Sequence, residues 1–250
     1  MTAAPITLQR QHFSIHRANE YFTLDGLQKE TGQPAREFRH VALKELVDNA
    51  LDAAETSGIA PHIVAEYVET KDGLMLAVAD NGAGIPSEVV SRILDFHTRT
   101  SDKAAYRAPT RGMQGNAIKT LLGMPIALGA DRGHIRIESA GVRHDITVWS
   151  TPAGVRHDHQ QTPATNNGTR VSLIIPGIAD CYYWIPHRWL RTFGLFNPHA
   201  KLQIREIDDF SSDANDFEGV KPADYFDFLK TVGDSSVFSD LSSPTVAFPG

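Results

Sequence analysis

The chain has 250 residues, 41% hydrophobic and 22% charged, an ordinary globular composition with length for one large domain or one domain and an appendage. A lone cysteine, Cys181, excludes an intrachain disulfide framework, and the most apolar stretch, 121–130, is too short to span a bilayer. The net charge of -6 is uneven: of 30 acidic and 24 basic residues, ten and two fall within 206–240, so 20 and 22 remain elsewhere and the body is near-neutral. Residues 1–10 carry no apolar signal-peptide core, so a soluble cytoplasmic protein is expected.

In chain order, residues 1–35 predict an irregular arm with short elements, holding Phe13, Ile15, Tyr21, Phe22 and Leu24 without an amphipathic period. Residues 36–56 predict one helix: Leu43, Leu46, Val47, Ala50, Leu51 and Ala54 recur at core-facing spacing, and Gly58 and Pro61 end it. Strands follow at 63–68 and 74–79, joined by a turn at Lys71-Asp72-Gly73. A loop at 80–86 leads to a helix ending near Leu94, with Ser87 as its cap. Residues 97–114 read as a long polar loop, and 116–122 as a short helix. The period then switches to two, predicting strands at 126–130, 134–139, 142–149 and 169–175. A helix at 182–193 and a strand at 201–207 precede an acidic, aperiodic tail at 208–250. This order argues for an α+β fold, a two-layer sandwich with helices on one face of a mixed, mainly antiparallel sheet.

Three segments carry chemistry. In Glu45-Leu46-Val47-Asp48-Asn49-Ala50-Leu51-Asp52, Glu45 and Asn49 share one helical face beside the buried stripe. The amide oxygen of Asn49 suits a hard cation such as Mg²⁺, and Glu45 suits the holding and deprotonation of a water. Alone, the segment also reads as a solvated amphipathic helix. In Asp80-Asn81-Gly82-Ala83-Gly84, closed by Ile85 and Pro86, an aspartate at a strand end can accept from an exocyclic amine. The two glycines there permit close backbone approach to a flat ligand; alone, this is also common turn chemistry. In Arg111-Gly112-Met113-Gln114-Gly115-Asn116, glycines before a helix expose backbone N–H groups suited to an anion; alone, it is also a plain helix start. No G-x-x-x-x-G-K-[ST] phosphate loop occurs.

Taken in order, Glu45…Asn49, Asp80-x-Gly82-x-Gly84, Gly112-x-x-Gly115 and Gly168-Thr169 resemble the N, G1, G2 and G3 boxes of the GHKL ATPases: gyrase-type topoisomerases, heat-shock chaperones, histidine kinases and MutL proteins. Residues 43–53 look like the MutL and type II topoisomerase form, and Thr100-Ser101-Asp102-Lys103 resembles the start of their ATP lid. Arg111-Gly112-x-Gln114-Gly115 and Phe196-Asn197-Pro198-His199-Ala200 look like the topoisomerase VI B-type chain. The resemblance implies a Bergerat fold over 36–176, followed by a helix and strand at 177–207 that begin a transducer-like segment. It implies ATP and Mg²⁺, with Glu45 as catalytic base and Asn49 on the metal. Asp80, Gly82, Gly84, Ile85 and Thr169 would surround the base, and Thr100, Ser101, Lys103, Gly112, Met113, Gln114, Gly115 and Asn116 the phosphates. It further implies an ATP-dependent homodimer with the arm 1–35 crossing to the second copy, and a topoisomerase VI A-like subunit and DNA as partners, with no membrane. The pattern departs where further lid glycines are usual, since Asn116 and Ala117 stand there; no transducer lysine and no inserted helical domain can be placed. The readings are therefore a slowly hydrolysing ATP-gated clamp, a binding module with negligible hydrolysis, or a MutL/MORC-like clamp. A histidine-kinase catalytic domain is disfavoured by Glu45, a base that such domains generally lack.

Among the remaining candidates, His134, His144, His157, His159, His187 and His199 form no zinc-type spacing. Tyr182, Tyr183, Trp184, Trp189 and Phe193 suggest packing in place of base stacking.

Overall fold

The computed structural model describes residues 17–94, 117–152, 154–177 and 184–207. A 3-10 segment (Arg17–Phe22) leads into α1 (Leu24–Thr31), and a 3-10 turn (Ala35–Glu37) into α2 (Phe38–Thr56). There follow β1 (His62–Thr70), β2 (Gly73–Ala79), α3 (Ser87–Ile93), α4 (Ala117–Ala127), β3 (Gly133–Ser139), β4 (Val142–Thr151), β5 (Gly154–Pro163), β6 (Thr169–Ile175), α5 (Pro186–Phe196) and β7 (Lys201–Glu206).

The seven strands form one mixed sheet in the order β5-β4-β3-β6-β2-β1-β7. Every pairing is antiparallel except that of β7 beside β1. Alternate residues point to one face: Ile63, Ala65 and Tyr67 of β1, Leu74, Leu76 and Val78 of β2, and Val171, Leu173 and Ile175 of β6 are all buried. That face receives α2, α4 and α5, so the architecture is the expected α+β two-layer sandwich. Helix α2 seals it with Leu43, Leu46, Val47 and Leu51, each 0–3% exposed and each stabilising by roughly 1.5–3 kcal/mol. The helix and strand at 184–207 share this core through Leu190, Leu202 and Ile204, and β7 is an edge of the same sheet.

Three expectations need correction, and one strand lies where none was expected. Residues 126–130 are not a strand: α4 runs to Ala127 and a turn follows. From Ile118 to Pro125 every residue of α4 is buried, because the helix lies between the sheet and the 3-10 segment. A helix covered on all sides shows no amphipathic period, and Pro125 near its end costs only a late hydrogen bond. Strand β5 was not anticipated. It is an edge strand whose side chains are nearly all exposed or half-exposed, so it carries no apolar alternation. Pro86, not Ser87, is the N-cap of α3. The aromatic helix begins at Pro186, not 182; Tyr182 and Tyr183 lie outside the described residues.

The arm is only partly described. From Arg17 onward it packs on its own domain: Tyr21, Phe22 and Leu27 are buried in the common core, and Gly123 of α4 lies against the Tyr21 backbone, leaving no room for a Cβ. Residues 1–16 and the tail 208–250 lie outside the described residues.

Candidate nucleotide site

Asp80 closes β2, and the sheet register sets it beside the start of β6. Its N–H donates to the Thr169 carbonyl at 2.8 Å. Its own Oδ1 accepts from the Gly82 N–H at 2.8 Å and the Thr169 N–H at 3.1 Å. The second oxygen, Oδ2, takes no hydrogen bond among the described residues. The carboxylate is half-buried, and burial pushes its pKa above the ordinary carboxylate value, against the pull of the two backbone N–H groups. It is therefore an oriented acceptor with one lone side.

The loop after Asp80 is tied down on three sides. Asn81 Oδ1 accepts from the His62 N–H at 2.9 Å, and its amide donates to the Ala60 carbonyl at 3.0 Å. Ser57, just past α2, donates to the Ala53 carbonyl at 2.7 Å and accepts from the Ala83 N–H at 3.1 Å. Ser139 accepts from the Ile85 N–H at 2.6 Å and lies 3.0 Å from the Thr169 hydroxyl. Gly82 backs directly onto α2, where a Cβ would come within 2.9 Å of the Ala53 backbone. Gly84 has φ +87° and lies against Ser139, and Gly168 has φ +73° with Asp80 on its open side. Close approach is thus required here by packing within the fold, whatever ligand the loop meets.

Ser139 joins the candidate site through Ile85 and Thr169, and no sequence motif marks it. Its only signal is its register opposite Thr169 in the β3–β6 ladder, which is known only once the strands are paired.

Helix α2 runs back from this loop, with Ala53 touching it, Asn49 one turn earlier and Glu45 two turns earlier, roughly 12 Å along the axis. Glu45 is half-buried and Asn49 exposed, on the side away from the sealed stripe. Lys44 Nζ lies 3.2 Å from Glu45 Oε1 and 2.8 Å from Oδ2 of Asp48, which is only 8% exposed. The structure therefore gathers Asp80, Gly82, Gly84, Ile85 and Thr169 at one end of α2 and carries Glu45 and Asn49 along it. Thr100, Ser101, Lys103, Gly112, Met113, Gln114, Gly115 and Asn116 lie outside the described residues, and α4 begins immediately after them.

The other candidates engage their neighbours. His144 Nδ1 meets His159 Nε2 at 2.8 Å, His187 meets the Tyr67 hydroxyl at 3.1 Å, and His199 meets Glu55 at 2.8 Å. Trp189 stacks on Phe193, and Trp184 meets Tyr67 edge-on, both against the core.

A family model described as "Histidine kinase-, DNA gyrase B-, and HSP90-like ATPase" matches residues 36–177. Among curated proteins, the chain is similar to the B-type chain of type 2 DNA topoisomerase 6 from Natronomonas pharaonis, 29% identical over 67% of this chain and 22% of the relative. The Halobacterium salinarum protein of that name is 27% identical over 66% of this chain and 22% of the relative. The Archaeoglobus fulgidus one is 28% identical over 66% of this chain and 29% of the relative. The aligned region thus spans less than a third of the length of these relatives.

Proposed function

The chain belongs to the histidine kinase-, DNA gyrase B- and HSP90-like ATPase family, and from that premise we propose that it is a slowly hydrolysing, ATP-gated dimerisation clamp in a type IIB topoisomerase-like system. The observation that carries the nucleotide assignment is Asp80, with Oδ1 spent on two backbone N–H groups and Oδ2 left open beside buried Thr169. Oδ2 accepts from the exocyclic amine of adenine, directly and through a water shared with Thr169. Gly82, Gly84 and Ile85 bound the base. The phosphates then extend along α2 toward Asn49 and Glu45, under a lid formed by Thr100, Ser101, Lys103 and the backbone N–H groups of 112–116.

Asn49 fits Mg²⁺: its amide is exposed on the site face, has no partner among the described residues and offers an oxygen, the ligand that a hard cation prefers. The metal, when bound, would neutralise charge on the phosphates. Glu45 orients the attacking water and takes its proton. Turnover is slow and the conformational cycle is the output, with a second copy of this chain, a topoisomerase VI A-like subunit and DNA as partners. The topoisomerase assignment rests on similarity to relatives that this chain spans only in part.

Single-turnover hydrolysis and calorimetry with a non-hydrolysable analogue test the reading together. Glu45→Ala should bind the analogue like wild type and hydrolyse ATP on the order of a hundredfold or more slowly, because a general base acts mainly in the transition state. Wild-type turnover in Glu45→Ala would remove the base; no analogue binding by the wild type would remove the site.

A further inference from the structure

We infer that Lys44 is a positioning residue for Glu45, held in place by the buried carboxylate of Asp48. The inference rests on the reading of Glu45 as the base. The contacts lie within one turn and a half of α2. Asp48 is only 8% exposed, and a carboxylate that deep requires a partner. Lys44, one turn earlier, supplies it at 2.8 Å. The same ammonium reaches sideways to Glu45 Oε1 at 3.2 Å.

A lysine has three donors on a flexible stem, and a solvated one would sample many rotamers. Here the shorter bond to Asp48 fixes the stem, so the ammonium is already in position when it meets Glu45. Glu45 then has one oxygen engaged and Oε2 without a partner among the described residues. Engaging one oxygen orients the other, and orientation of a reacting group before the chemical step is where such contacts act. Two carboxylates facing one ammonium also keep it charged: burial pulls the Lys44 pKa down, but Asp48 and Glu45 together hold it above the ordinary lysine value.

The purely structural reading is an i,i+4 ion pair that satisfies the Asp48 carboxylate and supports the helix, with no effect on turnover. The two readings separate on turnover against binding. If Lys44 positions Glu45, Lys44→Met lowers kcat about tenfold and leaves the analogue Kd within about twofold. Lys44→Arg restores most of the loss, and Lys44→Met adds nothing in a Glu45→Gln background. Independently of turnover, the ¹⁵Nζ-detected titration of Lys44 in the nucleotide-free protein moves down when Glu45 becomes Gln. That arm uses no variant of Lys44, so it holds if Lys44→Met fails to fold. Unchanged kcat in Lys44→Met, a lost analogue affinity, or an unmoved titration overturns the proposal. Wild-type turnover in Glu45→Gln takes away the base itself, a separate failure that the titration arm distinguishes.

Discussion

The orientation of Asp80, the proposed adenine acceptor, is set by the backbone around it. Oδ1 is committed to the Gly82 and Thr169 N–H groups, so only Oδ2 faces outward. Asparagine reproduces the first half: its Oδ1 accepts the same two bonds. It reverses the second half, presenting N–H groups where a carboxylate accepts from an amine. Asp80→Asn should therefore weaken analogue binding by about 1–3 kcal/mol or more, roughly a fivefold to 150-fold rise in Kd by calorimetry. The apo protein should respond the other way. Because burial raises this pKa, the native state holds the proton more tightly than the unfolded chain, and ionisation opposes folding as pH rises above the ordinary carboxylate value. Apo Asp80→Asn should thus melt at or above the wild-type temperature at pH 7, the gap closing near pH 4, where the unfolded carboxylate is itself protonating. A variant that melts much lower and still binds would mean that Asp80 is structural. The acidic acceptor was legible in the sequence, since it stands at a strand end before a glycine pair. The reason for the glycines was not: Ala53 and Ser139, which fill the space beside them, come from elements 29 and 55 residues away.

At the scale of elements, α2 was legible because it is half-sealed and carries one apolar stripe; α4, covered on all sides, was legible only in its first half, the expected helix at 116–122, and β5, covered on almost none, not at all. The hidden strand brings a pairing that no spacing announces. His144 on β4 and His159 on β5 are 15 apart, stand diagonal in the ladder, and share one N···N contact of 2.8 Å. His144 is wholly buried, and its other nitrogen lies 3.4 Å from Ser87 at the start of α3, just beyond the site loop; His159 is flanked by His157 and Asp158. Burial first, and then their mutual proximity, holds the His144 pKa below the ordinary value; burial and His157 do the same to His159. The native state then binds fewer protons than the unfolded chain, so stability is lost as pH falls below about 6.5. Urea unfolding should show the midpoint dropping between pH 7 and pH 5, and His144→Gln, which can bond to both neighbours without titrating, should flatten that slope. Parallel curves for the two proteins would show that the pair does not titrate on unfolding.

For the whole molecule, the decisive feature is where the N-terminal arm lies. Resemblance implied that residues 1–35 cross to a second copy, yet Tyr21, Phe22 and Leu27 are buried in the same core as α4 and the sheet. Of the arm, residues 1–16, outside the described set, are left to act as a strap, with Ile6, Leu8, Phe13 and Ile15 among their apolar groups. This sharpens the test of the clamp. A ligand shifts a monomer–dimer balance only by its differential affinity for the two states, so ATP must be bound more tightly in the dimer, through contacts that the monomer lacks. Sedimentation velocity should show a monomer or weak dimer without nucleotide and a tighter dimer with a non-hydrolysable analogue. Deleting residues 2–16 should abolish the nucleotide dependence while calorimetry still records binding, because Asp80, Thr169 and the loop between α2 and the sheet remain whole. Extending the deletion to residue 30 should instead unfold the domain, since it strips three buried side chains and uncovers one side of α4, a loss of several kcal/mol against a total stability of about 5–15 kcal/mol. An identical mass distribution with and without analogue would refute the ATP-gated clamp. Retention of the nucleotide response after deletion of 2–16 would place the second copy on another surface, and the outermost strands of the sheet among the described residues, β5 and β7, are then the faces to mutate.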